Sequence, residues 1–74
     1  MKANKLRRIL RKLGYSKVPG RGHGSHEILR ADGRGQILFA FHGSATIPGG
    51  MVRSILVKDA GLTLDEAKEV LGID

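Results

Sequence analysis

The residues best suited to chemistry in this sequence are Gly24-Ser25-His26, at the end of a glycine-rich stretch that begins at Gly20. Histidine is the side chain whose ordinary pKa lies closest to neutral pH, so it can accept or release a proton without a strongly perturbed environment. The chain has 74 residues, a net charge of +6 and no cysteine. A proton-transferring group on a small basic chain favours a polyanionic substrate, and RNA is the obvious candidate.

Length and charge distribution limit the classes of protein to which this chain can belong. The 74 residues predict a single domain over residues 1–74, with a core close to the smallest that folds alone. Basic residues concentrate before His23 and acidic residues towards the C-terminus, which predicts one basic face. No apolar run suits a signal peptide or a membrane span, and cysteine is absent, so we expect a cytoplasmic location and no membrane partner.

Helical spacing marks both ends of the chain. Near the N-terminus, apolar residues at i, i+3, i+4 and i+7 predict a helix over about Lys5 to Leu13, capped by Asn4. Pro48 is expected in the first turn of a second helix that ends at Gly61. The sequence Thr63-Leu64-Asp65-Glu66 predicts the capping box of a third helix.

Alternating apolar residues predict an antiparallel sheet between the helices. Strands are expected at Ser25 to Ala31 and Gln36 to His42, after a short edge strand that follows the first helix. Asp32-Gly33 predicts a two-residue type I′ turn, which would pair His26 with Phe39 and turn it towards the core. The expected fold class is α+β, a small two-layer α-β-β-β-α(-α) domain.

Several motifs follow one another in a distinctive order along nearly the whole chain. Leu13-Gly14-Tyr15 ends the first helix, Gly24-Ser25-His26 enters a strand, His42-Gly43 closes the hairpin, and Arg53-Ser54-Ile55-Leu56 lies in the second helix. This pattern resembles the HicA family of toxins, small messenger-RNA interferases of toxin–antitoxin modules. The resemblance implies a fold similar to a double-stranded RNA-binding domain, endoribonuclease activity on mRNA without a cofactor, and a HicB-type antitoxin as partner.

The resemblance also implies that His26 is the catalytic residue. The chemistry that suits it is general base and acid catalysis for attack of a ribose 2′-OH on the adjacent phosphate, which needs no metal in principle. Many family members carry a second histidine where this chain has Glu27, and a proline where it has Ala40. Glu27 and His42 are candidates for an auxiliary role. With no cysteine and no carboxylates clustered beside the histidines, no metal site is expected.

The residues expected to hold RNA or phosphate are basic or lie in glycine-containing turns. They are Lys5, Arg7, Arg8, Arg11, Lys12, Arg21, Gly24, Ser25, Gly49, Gly50 and Arg53. Each has an ordinary structural explanation as well: a solvated helix face, a flexible connection or a helix start, and His26 itself could be packed in the sheet. Two other functions therefore stay open, a non-catalytic double-stranded-RNA-binding module and a structural subunit that needs a partner to fold.

Overall fold

The helices and strands occur in the predicted α-β-β-β-α-α order, in a computed structural model that describes residues 1–20 and 26–72. The α+β class is confirmed, with a sheet of three antiparallel strands in the order β1-β2-β3. The elements are α1 (Ala3–Lys12), β1 (Ser16–Lys17), β2 (His26–Arg30), β3 (Ile37–Ala40), α2 (Gly49–Ser54), a π-helical segment (Ile55–Asp59) and α3 (Leu64–Leu71).

The first helix is anchored by the loop that follows β3. Lys2 is its N-cap residue and no side chain caps it, so the predicted Asn4 cap is wrong. The Ala3 N–H donates to the Ala45 carbonyl at 2.9 Å, and the Asn4 N–H donates to the Gly43 carbonyl at 3.1 Å. Backbone carbonyls from a distant loop therefore satisfy the helix start, which a local sequence pattern does not reveal.

The register of the central hairpin differs from the prediction by one residue. His26 pairs with Ala40, and Phe39 pairs with Glu27. Because side chains alternate between the two faces of a strand, a one-residue slip moves each side chain to the other face. The predicted pairing of His26 with Phe39 is therefore wrong, and His26 lies on the sheet face opposite to the buried Phe39.

The hairpin loop accounts for this register. A type I′ turn requires positive φ at both central positions, but Asp32 does not adopt it and only Gly33 does, with φ +73°. The Arg34 N–H donates to the Ala31 carbonyl at 3.2 Å, so a turn forms around the same two residues with a different backbone conformation. The predicted type I′ turn is wrong for this reason.

Contacts with residues outside the hairpin hold the loop between β2 and β3 in this conformation. Gly35 approaches the Asp59 carbonyl so closely that a Cβ on Gly35 would overlap it. The Tyr15 hydroxyl donates to the Gly35 carbonyl at 2.7 Å, and burial raises the pKa of this hydroxyl so that it stays protonated. The loop is thereby docked between the end of α1 and the π-helical segment.

The helices cover one face of the sheet. The largest fully buried side chains come from α1, β3, the π-helical segment and the loop before α2, namely Leu6, Leu10, Ile37, Phe39, Ile47 and Leu56. On the other sheet face, Leu38 is 61% exposed and His26 is exposed. We refer to the sheet face that carries His26, Ile28, Leu38 and Ala40 as the open face.

The C-terminal elements agree closely with the sequence. Pro48 directly precedes α2 as its N-cap, and Gly61 has φ +78° beyond the end of the helical segment. The predicted capping box is present: the Glu66 N–H donates to the Thr63 hydroxyl at 3.1 Å, and the Thr63 N–H donates to the Glu66 carboxylate at 2.9 Å. The bond from the Thr63 backbone lowers the pKa of Glu66. None of the described helices is long and apolar enough to cross a membrane.

Candidate active site

His26 begins β2 and its side chain is accessible from the open face. It pairs directly with Ala40, whose small side chain leaves room above the strand. Ile28 is half-buried two residues along, and its partner Leu38 is 61% exposed. The alternative in which His26 is packed in the sheet is therefore wrong, and the imidazole is accessible to solvent.

Glu27 lies on the opposite face of the same strand and pairs with α1. Its carboxylate is 2.5 Å from the Arg7 guanidinium, and the two side chains are only 16% and 28% exposed. The Arg7 guanidinium also lies 5.0 Å from the centroid of the Phe39 ring. Such a partly buried cation, shared between a carboxylate and an aromatic ring, joins α1 to the sheet beside His26.

This pairing changes the roles expected for both residues. Arg7 is directed towards the sheet and its guanidinium is already paired with the Glu27 carboxylate, so less of its charge is offered to a phosphate than that of its exposed neighbours. Glu27 faces away from the side of the strand that carries His26, so direct proton exchange with the imidazole is not favoured. The sequence held one signal for this pair, because Glu27 is the first acidic residue after a strongly basic helix.

Four basic side chains cover the outer surface of α1, and we call them the basic helix surface. They are the exposed residues Lys5, Arg8, Arg11 and Lys12; the first three follow one another at intervals of three residues, and Lys12 lies four residues after Arg8. Arg8 and Arg11 line a shallow groove together with Asn4 and Arg7. Such a surface can follow a phosphate backbone without reading its bases.

The start of α2 lies in a different environment. Gly49, Gly50 and Arg53 are exposed, and α2 itself has six residues before the π-helical segment. Arg53 lines a groove of about 260 Å³ with side chains of α3, among them Leu64 and Lys68. Within residues 1–20 and 26–72, no hydrogen bond or ion pair joins Arg53 to His26.

The remaining predicted residues divide into two groups. Arg21, Gly24 and Ser25 lie outside the described residues. His42 is exposed and lies two residues beyond the end of β3, where its carbonyl accepts a hydrogen bond of 2.9 Å from the Ala45 N–H.

A known protein family matches most of the chain. The family model for the HicA toxin of bacterial toxin–antitoxin modules matches residues 3–62. The matched region runs from the start of α1 to the residue before the α3 cap, and it contains His26, His42 and the Arg7–Glu27 pair. Neither a curated protein nor a solved structure gave a match to the chain.

Proposed function

This chain belongs to the HicA toxin family of bacterial toxin–antitoxin modules, and on that premise we propose that it is a metal-independent endoribonuclease that cuts mRNA with His26. Membership of the family implies a cognate antitoxin. The observation that carries the proposal is the exposure of His26 on the open face, at the first residue of β2. The next residue of the strand, Glu27, pairs with Arg7 and so holds β2 against α1. The group that would transfer the proton is accessible, while the backbone that carries it is held in place.

The proposed reaction is an internal displacement at phosphorus. The His26 imidazole accepts the proton of a ribose 2′-OH as the 2′-oxygen bonds to the adjacent phosphorus and the bond to the 5′-oxygen breaks. The products are a 2′,3′-cyclic phosphate and a 5′-hydroxyl end. Basic side chains and backbone amides are suited to stabilise the charge that develops on the phosphoryl oxygens.

The basic helix surface is proposed to hold the RNA backbone. Its exposed charges suit a substrate of any sequence, whereas Arg7 is proposed to anchor α1 on the sheet instead of contacting phosphate. Arg53, with Gly49 and Gly50 before it, remains a proposed phosphate contact. Arg21, Gly24 and Ser25, which lie outside the described residues, also remain proposed contacts to RNA or phosphate.

The cognate antitoxin is proposed to be a HicB-type protein with an acidic surface that covers His26. Two observations support this: the net charge of +6, and the exposure of Leu38 beside His26 on the open face. An acidic partner would be steered by the charge and would bury the apolar side chain once bound. Because the proposed substrate is mRNA, the proposed location of the toxin is the cytoplasm.

The competing function is a double-stranded-RNA-binding module without catalysis, which the basic helix surface would equally support. The deciding experiment incubates the purified protein with single-stranded and duplex RNA in excess EDTA. We expect cleavage to be unaffected by the chelator and to leave 2′,3′-cyclic phosphate ends. Full inhibition by EDTA that a divalent ion restores would reject the metal-independent mechanism, and binding without cleavage would favour the binding module.

Removing two charges from the basic helix surface should weaken RNA binding for every sequence alike. For Arg8→Gln with Arg11→Gln, we expect the salt dependence to become weaker. The negative slope of log affinity against log salt should decrease in magnitude by about 1.4–1.8, since each phosphate contact contributes about 0.7–0.9. The control is Lys58→Gln, which removes an exposed charge from the π-helical segment. A double variant that changes the slope no more than this control would move the RNA contact away from α1.

A further inference from the structure

Cleavage of RNA by its own 2′-OH requires two proton transfers. One proton leaves the 2′-oxygen as that oxygen bonds to phosphorus. Another must reach the 5′-oxygen as its bond to phosphorus breaks, because an alkoxide is a poor leaving group. A second titratable group on the side of the phosphate opposite to His26 would supply that proton.

The chain beyond β3 places His42 on the open face. The Phe41 ring contacts the Phe39 ring edge-to-face, with centroids 5.4 Å apart, and Phe41 packs against the buried core. The alternation of β3 therefore continues past its last residue, with Phe39 and Phe41 on the covered side. The exposed His42 then lies on the same side as Ala40, which pairs directly with His26.

The spacing of these positions suits a phosphodiester between two imidazoles. Diagonal neighbours on one face of an antiparallel pair have Cβ atoms about 7–8 Å apart. The ladder ends at the His26–Ala40 pair, and His42 follows Ala40 by two residues, which corresponds to the diagonal position when the line of β3 is extended past its last residue. Imidazoles attached at this separation can approach the attacking and the leaving oxygen of one phosphate from two sides.

The turn that carries His42 is fixed to the same helix that holds β2. The Gly43 carbonyl accepts a hydrogen bond from the Asn4 N–H at 3.1 Å, and a Cβ on Gly43 would lie only 2.6 Å from the Asn4 side chain. The Ala45 carbonyl accepts from the Ala3 N–H at 2.9 Å. Since α1 also holds β2 through the Arg7–Glu27 pair, both histidines are positioned relative to one element.

We propose that His42 is a second catalytic residue, the general acid that protonates the leaving 5′-oxygen while His26 acts as the base. The inference rests on the proposed ribonuclease function and assigns a separate step of it. The proton taken from the 2′-OH stays on His26, the proton given to the 5′-oxygen comes from His42, and water restores both protonation states when the products leave.

The test compares two RNA oligonucleotides that differ at one atom. One has the natural 5′-oxygen at the cleavage site, and the other has a bridging 5′-sulfur, whose thiolate leaves without being protonated. On natural RNA, we expect His42→Ala and His42→Gln to slow cleavage by about 10²–10⁴-fold. On the sulfur substrate, we expect both variants to cleave within a few-fold of wild type, while His26→Ala stays impaired on both substrates.

Each outcome bears on a distinct claim. Ser44→Ala, in the same turn, is the control for a structural effect and should leave both rates unchanged. A His42→Ala protein that cleaves natural RNA at the wild-type rate, or is equally slow on both substrates, would overturn the acid role while leaving the ribonuclease function intact. Wild-type protein that cleaves neither substrate would instead overturn the proposed function itself.

Discussion

His26→Ala should reduce RNA cleavage by about 10²–10⁴-fold, because it removes the group proposed to accept the proton of the attacking 2′-OH. The free energy of unfolding should stay within about 0.5 kcal/mol of wild type, since His26 is exposed on the open face. Single-turnover cleavage of a defined RNA and urea denaturation of the same preparations measure the two quantities.

The matched control is His23→Ala, which removes another histidine from the same basic region and should affect cleavage only mildly. A folded His26→Ala protein with near-normal cleavage would exclude His26 as the proton acceptor. A large loss of stability would mean instead that His26 packs against the core, as the mispredicted register would require.

Phe39→Ala should cost about 3–5 kcal/mol of stability, the typical cost of deleting a buried aromatic side chain. Phe39 is fully buried, contacts the Phe41 ring, and lies beneath the Arg7 guanidinium. The loss is close to the whole stability that a single core of this size supplies. We therefore expect the variant to be largely unfolded at room temperature, as measured by circular dichroism and thermal denaturation.

Leu38→Ala is the control for Phe39→Ala, one residue away on the same strand. Leu38 is 61% exposed, so its truncation should cost less than about 1 kcal/mol. A greater loss for Leu38 than for Phe39 would contradict the assignment of the two sheet faces. The same Leu38 variant should bind a proposed antitoxin more weakly if the partner covers the open face.

Local patterns were sufficient to predict the element order. Helical spacing of apolar residues located α1, and the short range of a capping box made the Thr63–Glu66 interaction visible in the sequence. Each of these signals depends on residues three or four positions apart. In these two cases no tertiary contact displaced the local interaction, which is why both predictions agree with the structure.

The hairpin register was not predictable in the same way. Asp32-Gly33 is a strong local signal for a type I′ turn, but contacts of Gly35 with Asp59 and Tyr15 determine the loop instead. These partners lie about 20 residues away in sequence, so no window around the turn contains them. A tertiary contact overrode a local preference.

The candidate site was predicted in part. The family resemblance singled out His26, yet the mispredicted register would have directed it inward, and only the observed pairing with Ala40 exposes it. The sequence predicts Arg7 as an RNA-binding residue because its charge and its helix position match those of its basic neighbours. Its partly buried pairing with Glu27 depends on how α1 packs on the sheet, which composition does not specify.

The loop between β2 and β3 also has a consequence for how the chain can vary. Its positions differ in the changes they can accept. A side chain at Gly33 would meet no atom within 4 Å, although the φ of +73° favours glycine, whereas a side chain at Gly35 would overlap the Asp59 carbonyl. An insertion at the Asp32–Gly33 tip can therefore extend into solvent and leave the His26–Ala40 pair in place. An insertion that shifts Gly35 would bring a residue that does not fit against Asp59. Loop length can thus vary at the tip of the hairpin but not at the Gly35 contact.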